Sequence, residues 1–255
     1  MNPASHPPRI DFNCDLGEGC GDDAAILPYV SSANVACGGH AGDEATMRAT
    51  LRLCREHGVA VGAHPGYEDR EHFGRRVLPL DRDEIGMLVL SQLARLAAIA
   101  ADEGLRLSHV KPHGALYNLA ADDRIVAEAI VGSVAAFDPS LAVYGLSGSE
   151  LTAAAEAAGL QAVHEVFAER GYGADGRLLP RGTPGAVLET LEQAIAQVHG
   201  LATRGEVVAA DGSVLQLRAD SLCLHGDRAD APAFARAVRA ALEADGIRIL
   251  AVDRA

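Results

Sequence analysis

Short apolar runs of about five residues recur along the chain, and many end at glycine, proline, histidine or aspartate. Runs of this length are typical of strands, and the stretches between them carry apolar residues at helical spacing. The pattern predicts strands at residues 10–15, 32–37, 59–63, 107–111, 141–145, 162–167, 221–224 and 247–252.

Helices are predicted in the intervening stretches. Asp43 has the chemistry of an N-cap, and Pro184 is suited to the first position of a helix. Asp211-Gly212 divides residues 207–217 into a β-hairpin. The predicted helices cover residues 24–29, 44–57, 83–103, 122–137, 150–158, 184–204 and 232–244.

Strand and helix alternate about seven times, which predicts an α/β fold with a parallel sheet. The polar residues follow the carboxyl ends of the strands, which form the reactive face of a barrel. We therefore expect a distorted (β/α) barrel of about seven units, forming one domain over residues 1–255 with residues 1–8 as a flexible tail. A doubly wound open sheet is the alternative.

Composition narrows the class of protein. The chain has 255 residues, of which 49% are hydrophobic, and a net charge of −13. That charge disfavours nucleic acid and anionic membranes as partners. No apolar run reaches the roughly 18 residues of a membrane span, and the N-terminus lacks a signal peptide pattern. Five cysteines without a CxxC pair indicate a reduced, cytoplasmic protein.

Four of the ten histidines each directly follow a predicted strand, next to glycine or proline: His40, His64, His113 and His225. Imidazoles in equivalent positions predict a cluster that binds a metal ion or moves protons. No compact spacing such as HxH or HExxH is present. A divalent metal on His40, His64 and His113 and a metal-free acid/base site therefore both stay open.

Lys111 ends a strand and has two interpretations. It either holds a substrate anion or forms a structural ion pair with Asp11 or Asp15. Glu165 and Arg170 invite the same two interpretations. The polar loop 65–80 contains Phe73-Gly74-Arg75-Arg76, which is either a mobile lid with cationic tips or a solvated loop.

Cys37 precedes Gly38-Gly39-His40 and is a weak nucleophile candidate, whereas Cys14 and Cys223 fit a packed strand better. A serine triad is not indicated, because no GxSxG elbow occurs.

With these residues in view, the chain resembles the LamB/YcsF family, whose members form one of the subunits of ATP-hydrolysing 5-oxoprolinases. Mild departures from the family pattern are Gly39, where an aromatic residue is usual, and Leu224, where valine is usual. The motifs that carry the resemblance are residues 13–18, 32–43, 62–67, 73–76, 110–118, 165–172, 179–181 and 223–227.

The resemblance implies a barrel similar to the glycoside hydrolase/deacetylase superfamily. It also implies ATP-dependent hydrolysis of 5-oxoproline to L-glutamate together with partner subunits B and C. The sequence has no GxxxxGK[ST] phosphate loop. ATP is therefore expected to bind on the partner subunits or to be shared with them.

The site expected from the residues and the resemblance has two sets of members. In the mechanism we expect, Lys111 and an arginine hold the substrate carboxylate or a phosphorylated oxygen. Asp15 or His113 acts as general base, and alanine at Lys111 or His113 abolishes turnover with the fold intact. The catalytic set is Asp15, His40, His64, Lys111 and His113, and the substrate-binding set is Asn13, Glu18, Asp43, Arg75, Glu165, Arg170 and His225.

Two other functions compete with this one. The first is a metal-dependent deacetylase or sugar hydrolase, which rests on barrel analogy alone. The second is a non-catalytic subunit that delivers substrate to its partners.

Overall fold

The computed structural model describes residues 8–226 and 230–253. Most of the predicted tail, together with Asp227, lies outside the described residues. Pro8 is described, and its carbonyl accepts a hydrogen bond from the Arg248 amide at 2.9 Å. This last residue of the predicted tail is therefore tied to the strand that follows Ile247.

Ten strands are present in the described residues, and most lie where the apolar runs predict them. They are β1 (Arg9–Leu16), β2 (Ser32–Ala36), β3 (Ala60–His64), β4 (His109–Val110), β5 (Ala142–Leu146), β6 (Ala162–Phe167), β7 (Glu206–Val208), β8 (Val214–Gln216), β9 (Ser221–His225) and β10 (Arg248–Ile249).

Seven of these strands close a parallel barrel in the order β1-β2-β3-β4-β5-β6-β9, and β9 pairs back with β1. The distorted (β/α) barrel of about seven units is therefore confirmed, and the open sheet is wrong. β10 pairs in parallel with the first two residues of β1, Arg9 and Ile10. β7 and β8 form the predicted hairpin.

The helices cover the outside of the barrel, and each amphipathic helix buries its apolar face against the strands. They are α1 (Asp23–Ile26), α2 (Glu44–His57), α3 (Arg82–Asp102), α4 (Gly114–Asp122), α5 (Arg124–Phe137), α6 (Glu150–Ala157), α7 (Leu191–Arg204) and α8 (Ala231–Ala244), with 3₁₀ turns at Leu27–Tyr29 and Arg70–His72.

Two helix boundaries differ from the prediction. The predicted helix 122–137 is in fact preceded by α4, and Asp123 begins α5 by accepting hydrogen bonds from the amides of Ile125 and Val126. The helix predicted from Pro184 begins only at Leu191. There the side chains of Thr190 and Gln193 form a reciprocal capping box.

Helix α3 is long and apolar enough to cross a membrane by length and composition alone, although no membrane-spanning run was expected. Its apolar side chains Ile85, Val89, Leu93, Leu96 and Ile99 are buried. Helices α2 and α5 and strand β3 pack against it. This is the arrangement of a core helix.

Candidate functional site

The carboxyl ends of the barrel strands surround a cavity of about 450 Å³. Parallel strands bring their ends to one face, so residues distant in sequence meet there. Pockets of this size bury small-molecule ligands. The charged and imidazole side chains that line the cavity are Asp15, His64, Arg75, Lys111, His113, Asp122, Arg170, Arg177, Arg181 and His225.

Lys111 lies at the floor of this cavity and is only 2% exposed. Its Nζ lies 2.9 Å from Asp15 Oδ1, 2.9 Å from Glu165 Oε1 and 3.3 Å from Asn13 Oδ1. Burial alone would lower the pKa of Lys111, but the negative charges around it, of which Asp15 is the strongest and Glu165 another, together outweigh burial and raise the pKa. An ammonium has three hydrogens, and it donates to Asp15, to Asn13 and to the Cys223 sulfur at 3.1 Å, while Glu165 forms an ion pair with it. The geometry therefore favours the structural interpretation of Lys111 over substrate binding.

A buried amide fixes the position of Asp15 from below. Asn34 Nδ2 donates to Asp15 Oδ1 at 2.8 Å and to Asn13 Oδ1 at 2.7 Å, and His109 Nε2 meets Asn34 Oδ1 at 2.8 Å. Because Oδ1 of Asn34 can only accept, His109 donates through Nε2. Burial alone would raise the pKa of Asp15, yet His64 and Lys111 bring it well below its usual value.

His64 and His113 face each other with their tautomers set by the backbone. His64 Nδ1 donates to the Lys111 carbonyl at 2.7 Å, and His113 Nε2 donates to the Phe73 carbonyl at 2.9 Å. The remaining nitrogens, His64 Nε2 and His113 Nδ1, lie 2.9 Å apart. If both rings were neutral, two lone pairs would oppose each other there, so a proton or a cation belongs between them.

The surrounding charges place that proton on His64. Asp15 Oδ2 lies 3.4 Å from His64 Nε2. Burial alone would lower the pKa of His64, but this carboxylate outweighs it and raises the pKa. Burial lowers the pKa of His113 well below its usual value. His64 is thus an imidazolium that donates to His113, so both nitrogens of each ring are engaged.

Glu18 and His40 complete this cluster at its outer side. Glu18 Oε1 lies 3.3 Å from His40 Nε2, 3.4 Å from His113 Nδ1 and 3.9 Å from His64 Nε2. Burial lowers the pKa of His40 to about 2, and its Nδ1 is buried with no described hydrogen-bond partner. His40 is therefore neutral.

The cluster meets part of the geometry of a metal site. Donors on a tetrahedral zinc ion lie about 3.3 Å apart, because its bonds are about 2.0 to 2.1 Å long. The separations among Glu18, His64 and His113 of 2.9, 3.4 and 3.9 Å surround that value. His40 does not fit, because its ring stacks on His113 with centroids 3.6 Å apart and planes 2° apart. Two stacked imidazoles cannot both present in-plane lone pairs to one ion.

The loop containing Phe73 closes over the histidines. Phe73 has a positive φ of 54°, which is uncommon outside glycine, and this conformation aims its carbonyl at His113. Gly74 follows with φ 64°, and a Cβ there would lie 2.7 Å from the Cβ of His40. Arg75 then reaches the cavity. Loop 65–80 is therefore part of the site rather than a solvated loop.

Arg170 is a buried cation in the cavity wall, with 5% of its surface exposed. Its guanidinium donates to the carbonyls of Ala186 at 3.0 Å and Leu179 at 2.6 Å. No carboxylate of the described residues lies within ion-pair distance of it. Burial lowers the pKa of Arg170 to about 10, so it stays protonated at neutral pH. A buried cation that borders a cavity and has no ion-pair partner among the described residues marks a place for an anion.

His225 also lines the cavity and is held by Glu169. His225 Nδ1 lies 2.5 Å from Glu169 Oε1, and the ring stacks on Phe167 with centroids 5.6 Å apart. Glu169 is 2% exposed. The sequence did not single out Glu169, although its position just after a strand carried the same signal as Asp15 and Glu18.

The cavity thus brings together seven of the twelve predicted residues, namely Asp15, His64, Arg75, Lys111, His113, Arg170 and His225. Asn13 and Glu165 lie beneath the floor and hold Lys111. His40 and Glu18 lie behind His113.

Two candidates lie elsewhere or lack the expected chemistry. Asp43 is exposed and does not line the cavity, because its carboxylate caps α2 by accepting from the Thr46 amide at 2.8 Å. Its predicted role as an N-cap is confirmed. Cys37 is fully buried, and burial raises the pKa of its thiol to about 12, so it is not a nucleophile.

Sequence reasoning also missed Asn34, Arg177 and Arg181. The two arginines fall in the glycine-rich loop after β6, where positive charge near a strand end was the available signal. Asn34 sits inside β2 and gave no such signal, because its partners come from other strands.

Known proteins match this chain over nearly its whole length. The model of the LamB/YcsF family matches residues 10–255. The A subunit of 5-oxoprolinase from Bordetella pertussis is 51% identical over 256 residues, covering 98% of this chain and 100% of that protein. The A subunit of 5-oxoprolinase from Bordetella parapertussis has the same identity and coverage.

Among solved structures, the lactam utilization protein from Thermus thermophilus has a TM-score of 0.90 and 44% identity, covering 96% of this chain and 100% of that chain. A protein from Enterococcus faecalis V583 described as a putative cellobiose-phosphate cleavage protein has a TM-score of 0.56 at 12% identity, covering 96% and 97%, so it shares the fold alone. The chain therefore belongs to the LamB/YcsF family.

Proposed function

We propose that this chain is the A subunit of a cytoplasmic, ATP-dependent 5-oxoprolinase, which hydrolyses the lactam of 5-oxoproline to L-glutamate. The full-length relatives that carry this name support the assignment. A subunit acts together with partners, and we assign the nucleotide to partner subunits B and C or to their interface with this chain. The missing phosphate-loop motif is consistent with that division of labour.

The observation that carries the proposal is the unpaired cation of Arg170 beside the cavity. 5-Oxoproline is a small ring that bears one carboxylate, so it supplies the anion that this wall lacks. Arg75 lies on the same cavity and adds positive charge near its mouth. A hydrogen bond to a charged group contributes about 1.5 to 3 kcal/mol.

The other residues of the site fix the positions of the imidazoles and hold their protons. Asp15, fixed by Lys111 and Asn34, keeps its negative charge next to His64. The His64 imidazolium and its partner His113 stabilise negative charge that develops on the opening ring. His40 packs behind His113, and its stacked ring keeps the imidazole pair in place.

Calorimetric titration of 5-oxoproline and of 2-pyrrolidinone, the same lactam without its carboxylate, tests the role of Arg170. Arg170→Gln should weaken 5-oxoproline binding about 10-fold to 150-fold, which is the loss of one charged hydrogen bond. Arg170→Lys should retain part of that affinity, and binding of 2-pyrrolidinone should not change. Equal losses for both ligands would mean that Arg170 only supports the fold, and unchanged 5-oxoproline binding would overturn its role.

A metal-dependent hydrolase is the second candidate, and the Glu18, His64 and His113 donors favour it. A divalent ion bound there would replace the proton between the two imidazoles and would supply Lewis acidity and a bound water. Metal analysis of the purified chain, with glutamate release measured before and after chelation, separates the two. One metal ion per chain with activity lost on chelation and independent of ATP would favour the hydrolase.

A further inference from the structure

We propose that His225, oriented by Glu169, is the general base that activates water for lactam opening. This inference rests on the proposed function and assigns a catalytic group within it. Glu169 acts as a positioning residue, since it contacts the imidazole and does not line the cavity.

The barrel builds this pair from two neighbouring strands. Glu169 lies two residues beyond β6, and His225 is the last residue of β9, which pairs with β6. The Glu169 carboxylate can only accept, so at 2.5 Å it holds the proton of the imidazole on Nδ1. The stacked Phe167 ring limits rotation of His225. Nε2 is thereby left as the basic nitrogen of a side chain that lines the cavity.

The other candidates for a base are already occupied. Both ring nitrogens of His64 and of His113 have partners, and His40 does not line the cavity. Asp15 accepts from Lys111 and Asn34, which makes it a weak base. Nε2 of His225 has no hydrogen bond to a described residue. Among the described histidines that line the cavity, it alone has a nitrogen available for water.

The chemistry balances with water as the added reactant. The water oxygen forms a bond to the ring carbonyl carbon while one water proton passes to Nε2 of His225. The carbon–nitrogen bond of the lactam then breaks, and the same proton passes to the ring nitrogen, which becomes the amine of L-glutamate. ATP, in the proposed function, supplies the driving force through the partner subunits.

The test measures ATP-dependent glutamate release by the chain assembled with its partner subunits, and 5-oxoproline binding to the same variants. General acid/base groups contribute about 10²-fold to 10⁴-fold, so His225→Gln should lower kcat by at least 100-fold. Glu169→Gln should lower kcat at least 10-fold with KM within 2-fold. Added imidazole should restore part of the activity of His225→Ala, which a purely structural role would not allow.

A matched control is available in the same barrel. His164 Nε2 lies 3.3 Å from Glu156 Oε1, which is a similar pair away from the cavity, so Glu156→Gln should leave kcat unchanged. If wild type releases glutamate and folded His225→Gln keeps its kcat within 3-fold, the base assignment is overturned while the proposed function stands. If wild type releases none with all partners assembled, the proposed function fails and the base assignment fails with it.

Discussion

Removing the charge of Lys111 should destabilise the fold, because its ammonium separates two buried carboxylates. Lys111→Met keeps most of the side-chain stem but leaves Asp15 and Glu165 without their shared cation, each previously 2.9 Å away. Removing one partner of a buried ion pair costs about 3 to 5 kcal/mol. For a chain of this size that corresponds to a fall of about 6 to 20 °C in Tm. Without the Lys111 charge the chain is therefore expected to fold with a lower Tm.

Urea unfolding at pH 7 measures this loss of stability, provided that the slope of the free energy of unfolding against urea concentration is the same in all variants. Adding Glu165→Gln should recover about 1 to 3 kcal/mol, because one of the two stranded carboxylates is then neutral. Arg124→Met removes an exposed cation that contacts Glu128 at 2.8 Å, and it should leave the midpoint unchanged within error. This reasoning would be refuted if Lys111→Met lowered the free energy of unfolding by less than about 1 kcal/mol, or if the double variant recovered none of the lost stability.

Three further predictions concern buried groups. Burial lowers the pKa of His109 to about 3, so the folded state disfavours its charged form, and stability should fall as pH drops from 6.5 towards 3. His109→Gln should reduce the dependence of the free energy of unfolding on pH by up to about 1.4 kcal/mol per pH unit, measured by urea unfolding at several pH values. An unchanged pH dependence would contradict this prediction. Gly62→Ala would place a Cβ 2.1 Å from His109 Nε2 and should lower the free energy of unfolding by at least about 1 to 3 kcal/mol. Gly132→Ala on the open face of α5 should not destabilise the fold, and equal urea midpoints for the two variants would contradict this packing. Cys20 is exposed and the other four thiols are buried, so one thiol per chain should react with a disulfide reagent in the folded protein and five after unfolding. Fast reaction of Cys37 in the folded protein would contradict its burial.

The barrel was readable from the chain because its signals are local. A parallel strand buried on both faces is a short apolar run, and the turn after it needs glycine or proline. Helix α4 was missed because Pro112 and Gly114 flank its start and suggested a loop. The helix predicted over residues 184–204 is present, but its predicted start at Pro184 was wrong, since proline is tolerated in many turns and the Thr190–Gln193 capping box marks the true start.

The members of the site were also readable, but not their partners. Strand-end histidines and acids converge because parallel strands end together. Whether Lys111 faces substrate or Glu165 depends on barrel closure, which brings together residues 54 positions apart, and no spacing rule encodes this. The same holds for the imidazole nitrogens, whose roles are set by carbonyls of Lys111 and Phe73.

Glutamate release from 5-oxoproline tests the central claim most directly. The purified chain, its partner subunits and the complete mixture are each assayed with and without ATP. We expect glutamate only when ATP and all subunits are present, and an apparent affinity for 5-oxoproline about 10-fold to 150-fold weaker when Arg170→Gln replaces the wild-type chain. Absence of glutamate from a folded and assembled complex supplied with ATP would contradict the account.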